Sequence, residues 1–157
     1  MLVKKYLILF LVLVFCNNNI SSQETTSSDL DLQQSENVLT QILDSYKTYS
    51  SDPEEALDTI WGFAHPSNKE ITGPKENFEK MLLSEPYNAI LDLKEYSFTK
   101  TVETEDSNHY EIKILAKNNS YFEVIWVFQF DECPDNPKEN CWLTIAVTAP
   151  SYYESGV

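Results

Sequence analysis

Glycine is scarce, with three residues in a chain of 157. That excludes a glycine-rich phosphate loop and argues against a flexible, low-complexity architecture. Basic residues are also few: 11 Lys and Arg stand against 25 Asp and Glu, for a formal net charge of −14. No basic cluster offsets the acids, so phosphate backbones and anionic headgroups are repelled and nucleic-acid binding is excluded. Histidine is limited to His65 and His109, and no further Cys or His stands at ligand spacing from the cysteines. No metal site is therefore expected. No apolar run reaches the roughly 20 residues that cross a bilayer, so no transmembrane helix is expected in the mature chain.

Apolar and aromatic residues are well supplied. A hydrophobic share of 42% and an aromatic share of 13% fill the core of one ordinary domain. The chain opens with Lys4 and Lys5, an apolar run from Tyr6 to Cys16, and polar residues to Gln23. This is the order of a secretory signal over residues 1–22, with Ser21 or Ser22 before the cut. Its removal takes two lysines and no acids, carrying the charge from −14 to −16. The alternative is a lipid anchor on Cys16, against which the bulky Phe15 stands. The protein is thus expected to be secreted or otherwise exported. In an oxidising compartment the remaining pair, Cys133 and Cys141, favours a disulfide across the loop PDNPKEN over two free thiols.

Residues 23–35 are polar, acidic and rich in Ser and Thr, and read as a flexible linker. A domain over 36–150 follows, with 151–157 as a C-terminal tail. Val38, Leu39, Ile42, Leu43, Tyr46 and Tyr49 fall on one helical stripe, with Ser35 as the expected N-cap. Asp52, Pro53, Glu54 and Glu55 form a complete start signal for a second helix, with Ala56, Leu57, Ile60, Trp61 and Ala64 inward. Pro66 is expected to end it. A third helix starts at Gly73-Pro74, with Glu76 placed to cap it, and carries Phe78, Met81 and Leu82 inward. Pro86 closes it, and Tyr87 to Leu91 reads as a short apolar turn.

After Leu91 the period changes from 3.6 to 2. Four strands are expected: around Tyr96–Val102, Tyr110–Ala116, Tyr121–Phe130 and Trp142–Thr148, joined by turns as an antiparallel meander. Three helices on one face of such a sheet make an α+β domain. If the sheet curves round a helix, a cone with an open end results.

FAHPSNKEITGPKENFEKML, PYNAIL and CWLTIAV resemble the DUF4864 family, a domain of unknown function. The matching positions are Phe63, Ala64, Pro66, Asn68, Lys69, Thr72, Gly73, Pro74, Phe78, Met81, Tyr87, Leu91, Trp142, Thr144 and Val147. The likeness covers roughly residues 36–147 and is most specific between Pro66 and Pro74. That family is similar to the NTF2-like, cystatin-like cone fold. The resemblance implies that fold, with about three N-terminal helices packed on a curved four-stranded sheet. It brings no activity, catalytic residue or cofactor. The cysteine pair and the export signal depart from its pattern.

Candidate chemistry is sparse. His65 is a suspect general base, although its place before Pro66 fits capping of last-turn carbonyls more simply. His109 lies near an expected turn. Asp58 and Glu123 are the carboxylates that a cavity would use for proton transfer, as steroid isomerases of the cone fold do, although both fit solvated faces. Trp61, Tyr87, Tyr96, Trp126 and Trp142 are candidate pocket walls or ordinary core. Asn68 reads as a loop-fixing side chain and Thr72-Gly73-Pro74 as a helix start. Asn118-Asn119-Ser120 is a glycosylation sequon at a turn. The expectation is an exported, non-catalytic domain that binds a small apolar ligand or a protein partner. The sheet face is also a candidate surface for pairing of two copies. The alternative is a cavity enzyme, isomerase- or hydrolase-like, that moves a proton with a carboxylate or His65.

Overall fold

A computed structural model describes residues 34–153. The expected signal segment with Cys16, and most of the linker, lie outside the described residues.

The described chain is α+β: four α-helices and a 3₁₀ helix, followed by five antiparallel strands. Helix α1, Ser35–Lys47, buries the stripe Val38, Leu39, Ile42, Leu43 and Tyr46, as its 3.6-residue spacing requires. Its N-cap is Gln34, whereas Ser35 is the first helical residue. The Ser35 hydroxyl turns to the sheet instead of the helix end. It lies 2.6 Å from the Tyr110 hydroxyl and accepts from Asn108 Nδ2 at 2.7 Å, inside the core.

Helix α2, Pro53–Gly62, starts as its sequence demands. Asp52 caps it, accepting from the Glu55 amide at 3.1 Å, Pro53 takes the first position, and two acids fill the first turn. It stops earlier than expected, at Gly62. Phe63, Ala64 and His65 leave the helix to run beside a sheet strand: the Thr144 amide donates to Phe63 O at 2.7 Å and the His65 amide donates to Thr144 O at 2.9 Å. Pro66 then opens a helix instead of closing one. Helix α3 spans Pro66–Thr72, so there are four helices where three were expected. The physical reason is that a proline at the first position forfeits only an amide that a helix leaves unpaired, while its effect on the preceding residue holds: His65 is extended.

Gly73 turns the chain with φ +82, a conformation that favours glycine, and a Cβ there would crowd the end of the Asn77 side chain at 3.0 Å. Helix α4, Lys75–Leu82, follows, with Phe78 and Leu82 buried. Pro74 is its N-cap and supplies no side-chain bond, and Glu76 lies in the first turn instead of closing a capping box. Tyr87–Ile90 is the 3₁₀ helix.

The strands are β1 Glu95–Glu103, β2 Ser107–Leu115, β3 Tyr121–Cys133, β4 Asn136–Val147 and β5 Ser151–Tyr152. Their order is β1-β2-β3-β4, with β5 paired to β3. The alternation read from the sequence sorts the faces: Asn108, Tyr110, Ile112 and Ile114 of β2, with Phe122, Val124, Trp126 and Phe128 of β3, are buried beneath the helices. Two features depart from the expected meander. Ser151 and Tyr152, expected in a tail, pair with Glu123 and Phe122. The cysteine loop is mostly ladder: Asp131 pairs with Cys141, Glu132 with Asn140 and Cys133 with Asn136. Pro137 is tolerated there because β4 ends the path of strands, where a missing amide costs no ladder bond. Cys133 and Cys141 meet at disulfide distance, with Cα atoms 5.3 Å apart.

Two stability measurements follow. Cys141→Ser is expected to lower the melting temperature by on the order of 10 °C under oxidising conditions, from about 2–3 kcal/mol of loop entropy, and to change nothing under reduction. An unchanged value in both would show two free thiols. Ser35→Ala strands the buried Tyr110 hydroxyl and Asn108 amide. Denaturant unfolding should show a loss of about 2–3 kcal/mol, while a loss under 0.5 kcal/mol would show that those groups find other partners.

Candidate functional site

Helix α3 has no fully buried residue, so it stands off the sheet. It is held at its start by the extended Phe63–His65 segment and along its length by Asn68, whose Nδ2 donates to Thr144 O at 3.3 Å. The turn at Gly73 then swings α4 away, and the space under the two helices is left unfilled. A cavity of about 260 Å³ results. Its floor is Trp126 of β3 with Thr144 and Val147 of β4, and its roof is Asn68, Ile71 and Thr72 of α3 with Phe78, Met81 and Leu82 of α4. Tyr46 of α1, with Ile60, Ala64, Tyr87 and Ile90, closes the sides. The exposed Ile71 side chain marks the rim. The volume exceeds the roughly 150 Å³ of an apolar cavity that holds benzene and lies just under the usual range for ligand pockets.

The lining is mainly hydrocarbon, with polar atoms at a few points. Trp126 Nε1 donates to Thr144 Oγ1 at 2.9 Å, which fixes the indole in the floor. Tyr46 sets its ring edge-on to Trp126, with centroids 6.1 Å apart. Burial, reinforced by the neighbouring Tyr87 and Tyr49 phenols, pushes the Tyr46 hydroxyl far above its ordinary pKa, so it stays protonated. Among the described residues, no carboxylate, imidazole or amine lines the cavity.

Of the five aromatic candidates, Tyr87 and Trp126 line the cavity. Trp61 instead packs on Phe78 with centroids 5.1 Å apart, beneath the Lys69 ammonium at 5.4 Å. Burial holds that ammonium below its usual pKa. Trp142 packs on Phe130 at 5.0 Å, and Tyr96 donates to Asp44 at 2.9 Å near the first strand. None of the three carboxylate or imidazole suspects reaches the cavity. Asp58 is exposed and paired with Lys75. Glu123 lies in register with Lys113 on the sheet face opposite the helices. His109 stands on that same face, opposite Val127. Asn118 is exposed in its turn, as a sequon needs, and its Oδ1 accepts from the Ser120 amide at 3.0 Å. Asn68 fixes backbone as expected, but the backbone belongs to β4. Tyr46 and Thr144 are among the cavity residues that sequence reasoning placed elsewhere. Tyr46 sat in the core stripe of α1, and Thr144 was named only as a position of family likeness.

His65 has a different role from the one expected. It caps the start of α3: Nδ1 accepts from the Ser67 amide at 3.1 Å and lies 2.5 Å from Ser67 Oγ. With Nδ1 accepting, Nε2 carries the proton and donates to Asp131 Oδ2 at 3.1 Å. Ser, His and Asp are thus brought together from residues 67, 65 and 131, and His65 and Asp131 line a shallow groove with Pro66, Pro134 and Pro137. The hydrogen bonds tie the helix start to the β3–β4 hairpin. Among the described residues, no group of three His, Cys, Asp or Glu side chains is placed to hold a metal, and no helix is long and apolar enough to cross a membrane. Compared with known proteins, the chain matches no family model and no curated sequence.

The His65 contact holds the Asp131 carboxyl below its ordinary value of 3.8, with the Glu132 amide adding to the effect. A carboxyl depressed in the folded state contributes stability that is full above its unfolded value and is lost as the pH falls through the lowered one. Asp131→Asn should therefore melt below the parent at pH 6, and the gap should close as the pH is taken from about 4 to 2. A gap that stays constant over that range would show that the pair lends no pH-dependent stability.

Proposed function

We propose that this chain is an exported, non-catalytic domain of the NTF2-like kind, akin to DUF4864, that holds a small apolar ligand between its helices and its sheet. One observation carries the reading: the cavity of about 260 Å³ is lined by Trp126, Phe78, Ile60, Leu82 and other hydrocarbon surfaces. Well-packed interiors leave few voids larger than a water molecule, and an apolar space of this size accepts an apolar guest more readily than it accepts water. Short helices on one face of an antiparallel sheet, with a space beneath them, agree with the cone that the family resemblance implies. The N-terminal signal and the cysteine pair support export. The enzyme alternative draws no support from the cavity, since His65, Asp58 and Glu123 lie outside its lining. The sheet face opposite the helices, with Ile125, Val127 and Leu115 partly open, supports the weaker reading of a surface that pairs with a protein or a second copy.

Naphthalene, with ten carbons, is a suitable probe for the cavity. The protein is expected to bind it with a sub-millimolar Kd in calorimetry, by the affinity that so few atoms sustain. Val147→Phe, which sends a ring into the space, should weaken that binding at least tenfold while the melting temperature moves by only a few degrees. Binding of naphthalene that Val147→Phe leaves untouched would place the guest elsewhere and sink the reading.

A further inference from the structure

The turn between β2 and β3 carries the sequon Asn118-Asn119-Ser120, and the ligand cavity makes no use of it. N-linked glycosylation needs an Asn that stands clear of the fold, followed by any residue but proline and then by Ser or Thr. The turn meets each demand. It is closed by backbone bonds: the Asn119 amide donates to Ala116 O at 3.0 Å, and the Ala116 amide donates to Ser120 O at 2.9 Å. Asn119 takes the left-handed conformation with φ 67, and its Oδ1 accepts from Lys94 Nζ. Asn118 is exposed, and its Oδ1 accepts from the Ser120 amide at 3.0 Å. That bond engages the oxygen arm of the carboxamide. Nδ2, the arm to which a glycan is attached, makes no hydrogen bond to any described residue. The same spacing recurs in the sequence only at Asn19-Ile20-Ser21, inside the expected signal segment and outside the described residues.

A second observation adjoins the first. A groove of about 400 Å³ runs between this turn and the 3₁₀ helix, lined by Lys117 and Asn118 on one side and by Asn88, Ala89, Leu91 and Asp92 on the other. Ala89 and Leu91 are partly open and give it a hydrocarbon strip. The polar groups stand beside that strip. Asp92 accepts from Lys117 Nζ at 3.0 Å and from the Ser50 amide at 2.7 Å, which fixes its carboxylate in place. Sites that hold small molecules pair apolar surface with a few fixed polar groups. A pyranose, with one face rich in C–H bonds and a rim of hydroxyls, suits such a lining.

We propose that Asn118 is N-glycosylated during export, and that the first N-acetylhexosamine of the glycan lies in the groove beside it. The inference rests on the reading of the chain as exported, because the sugar donor and its transferase belong to that route. The donor is an oligosaccharide carried on a polyprenyl diphosphate. Asn118 Nδ2 attacks its anomeric carbon, and a C–N bond forms as the bond from that carbon to the diphosphate oxygen breaks. The diphosphate leaves with the electron pair, Nδ2 gives up one proton, and nothing is oxidised or reduced. The attached sugar then sets its apolar face on Leu91 and Ala89, with its hydroxyls and acetamide toward Asn88, Asp92 and Lys117.

The full chain with its own first segment, Asn118→Gln and Ser120→Ala are expressed in cultured eukaryotic cells. The unaltered protein in the medium should carry one glycan by intact mass, and both substitutions should abolish it. Peptide N-glycosidase acting on the unaltered protein should leave an aspartic acid in place of the asparagine at 118, which locates the site even where a variant fails to fold. Secreted protein of bare polypeptide mass, or a glycan that survives Asn118→Gln, overturns the inference while export stands. Protein that stays in the cytosol takes down the export reading and the inference together. Trimming the glycan to its first sugar tests the groove by nuclear magnetic resonance. The acetyl methyl or ring protons of that sugar should show Overhauser contacts with Ala89 and Leu91. A sugar that contacts neither overturns its placement.

Discussion

Thr144 fastens the helical layer of this protein to its sheet. Its amide donates to Phe63 O, its carbonyl accepts from the His65 amide and from Asn68 Nδ2, and its hydroxyl accepts from Trp126 Nε1. One residue near the end of β4 thereby sets where α2 stops, where α3 begins, and how the floor indole lies. Backbone amides cannot be buried unpaired without cost, so the chain between Gly62 and Pro66 is drawn out of helix to satisfy that strand. The kink is what holds α3 away from the sheet. Without it, α2 would run on toward Pro66, and the space that Trp126 and Tyr46 border would have no roof of this shape.

The polar groups of the interior divide into two kinds. Ser35, Tyr110 and Asn108 bond to one another across α1 and β2, and they order the core as a shared network does. Two buried side-chain atoms among the described residues are left without a partner: the Tyr49 hydroxyl, just past the end of α1, and Oδ1 of Asn108 itself. The Ser67–His65–Asp131 set shows the converse: residue types that suggest chemistry are consumed by a helix cap and a tie to the hairpin.

What was legible in the sequence follows the range over which each signal acts. The period-2 alternation of Tyr110, Ile112 and Ile114 names a face because a strand sorts its side chains by itself. Asp52-Pro53-Glu54-Glu55 names a helix start because all its bonds close within one turn. Cys133 and Cys141 face one another because the hairpin between them is short. Signals with two local meanings were misread. A proline after a helical stretch ends one helix or begins the next, and only the demand of β4 for partners at Phe63 and His65 chose between them. Ser35 before an apolar stripe reads as a cap, until Tyr110 and Asn108 claim its hydroxyl from across the core.

The sequence by itself determined the class of the fold, the segments that alternate or coil, the charge that excludes polyanions, and the cysteine pair. These are set by backbone preference, periodicity and composition, which need no distant partner. Tertiary structure alone decided that Tyr87 and Trp126 border a space while Trp61, Tyr96 and Trp142 fill the core or its margin. It also decided that Ser151 and Tyr152 form a fifth strand. A cavity is the volume that several elements together leave unfilled, and no single element encodes it. The unpaired hydroxyl of Tyr49 belongs to the same class of fact, because a missing partner is visible only when every neighbour is in place.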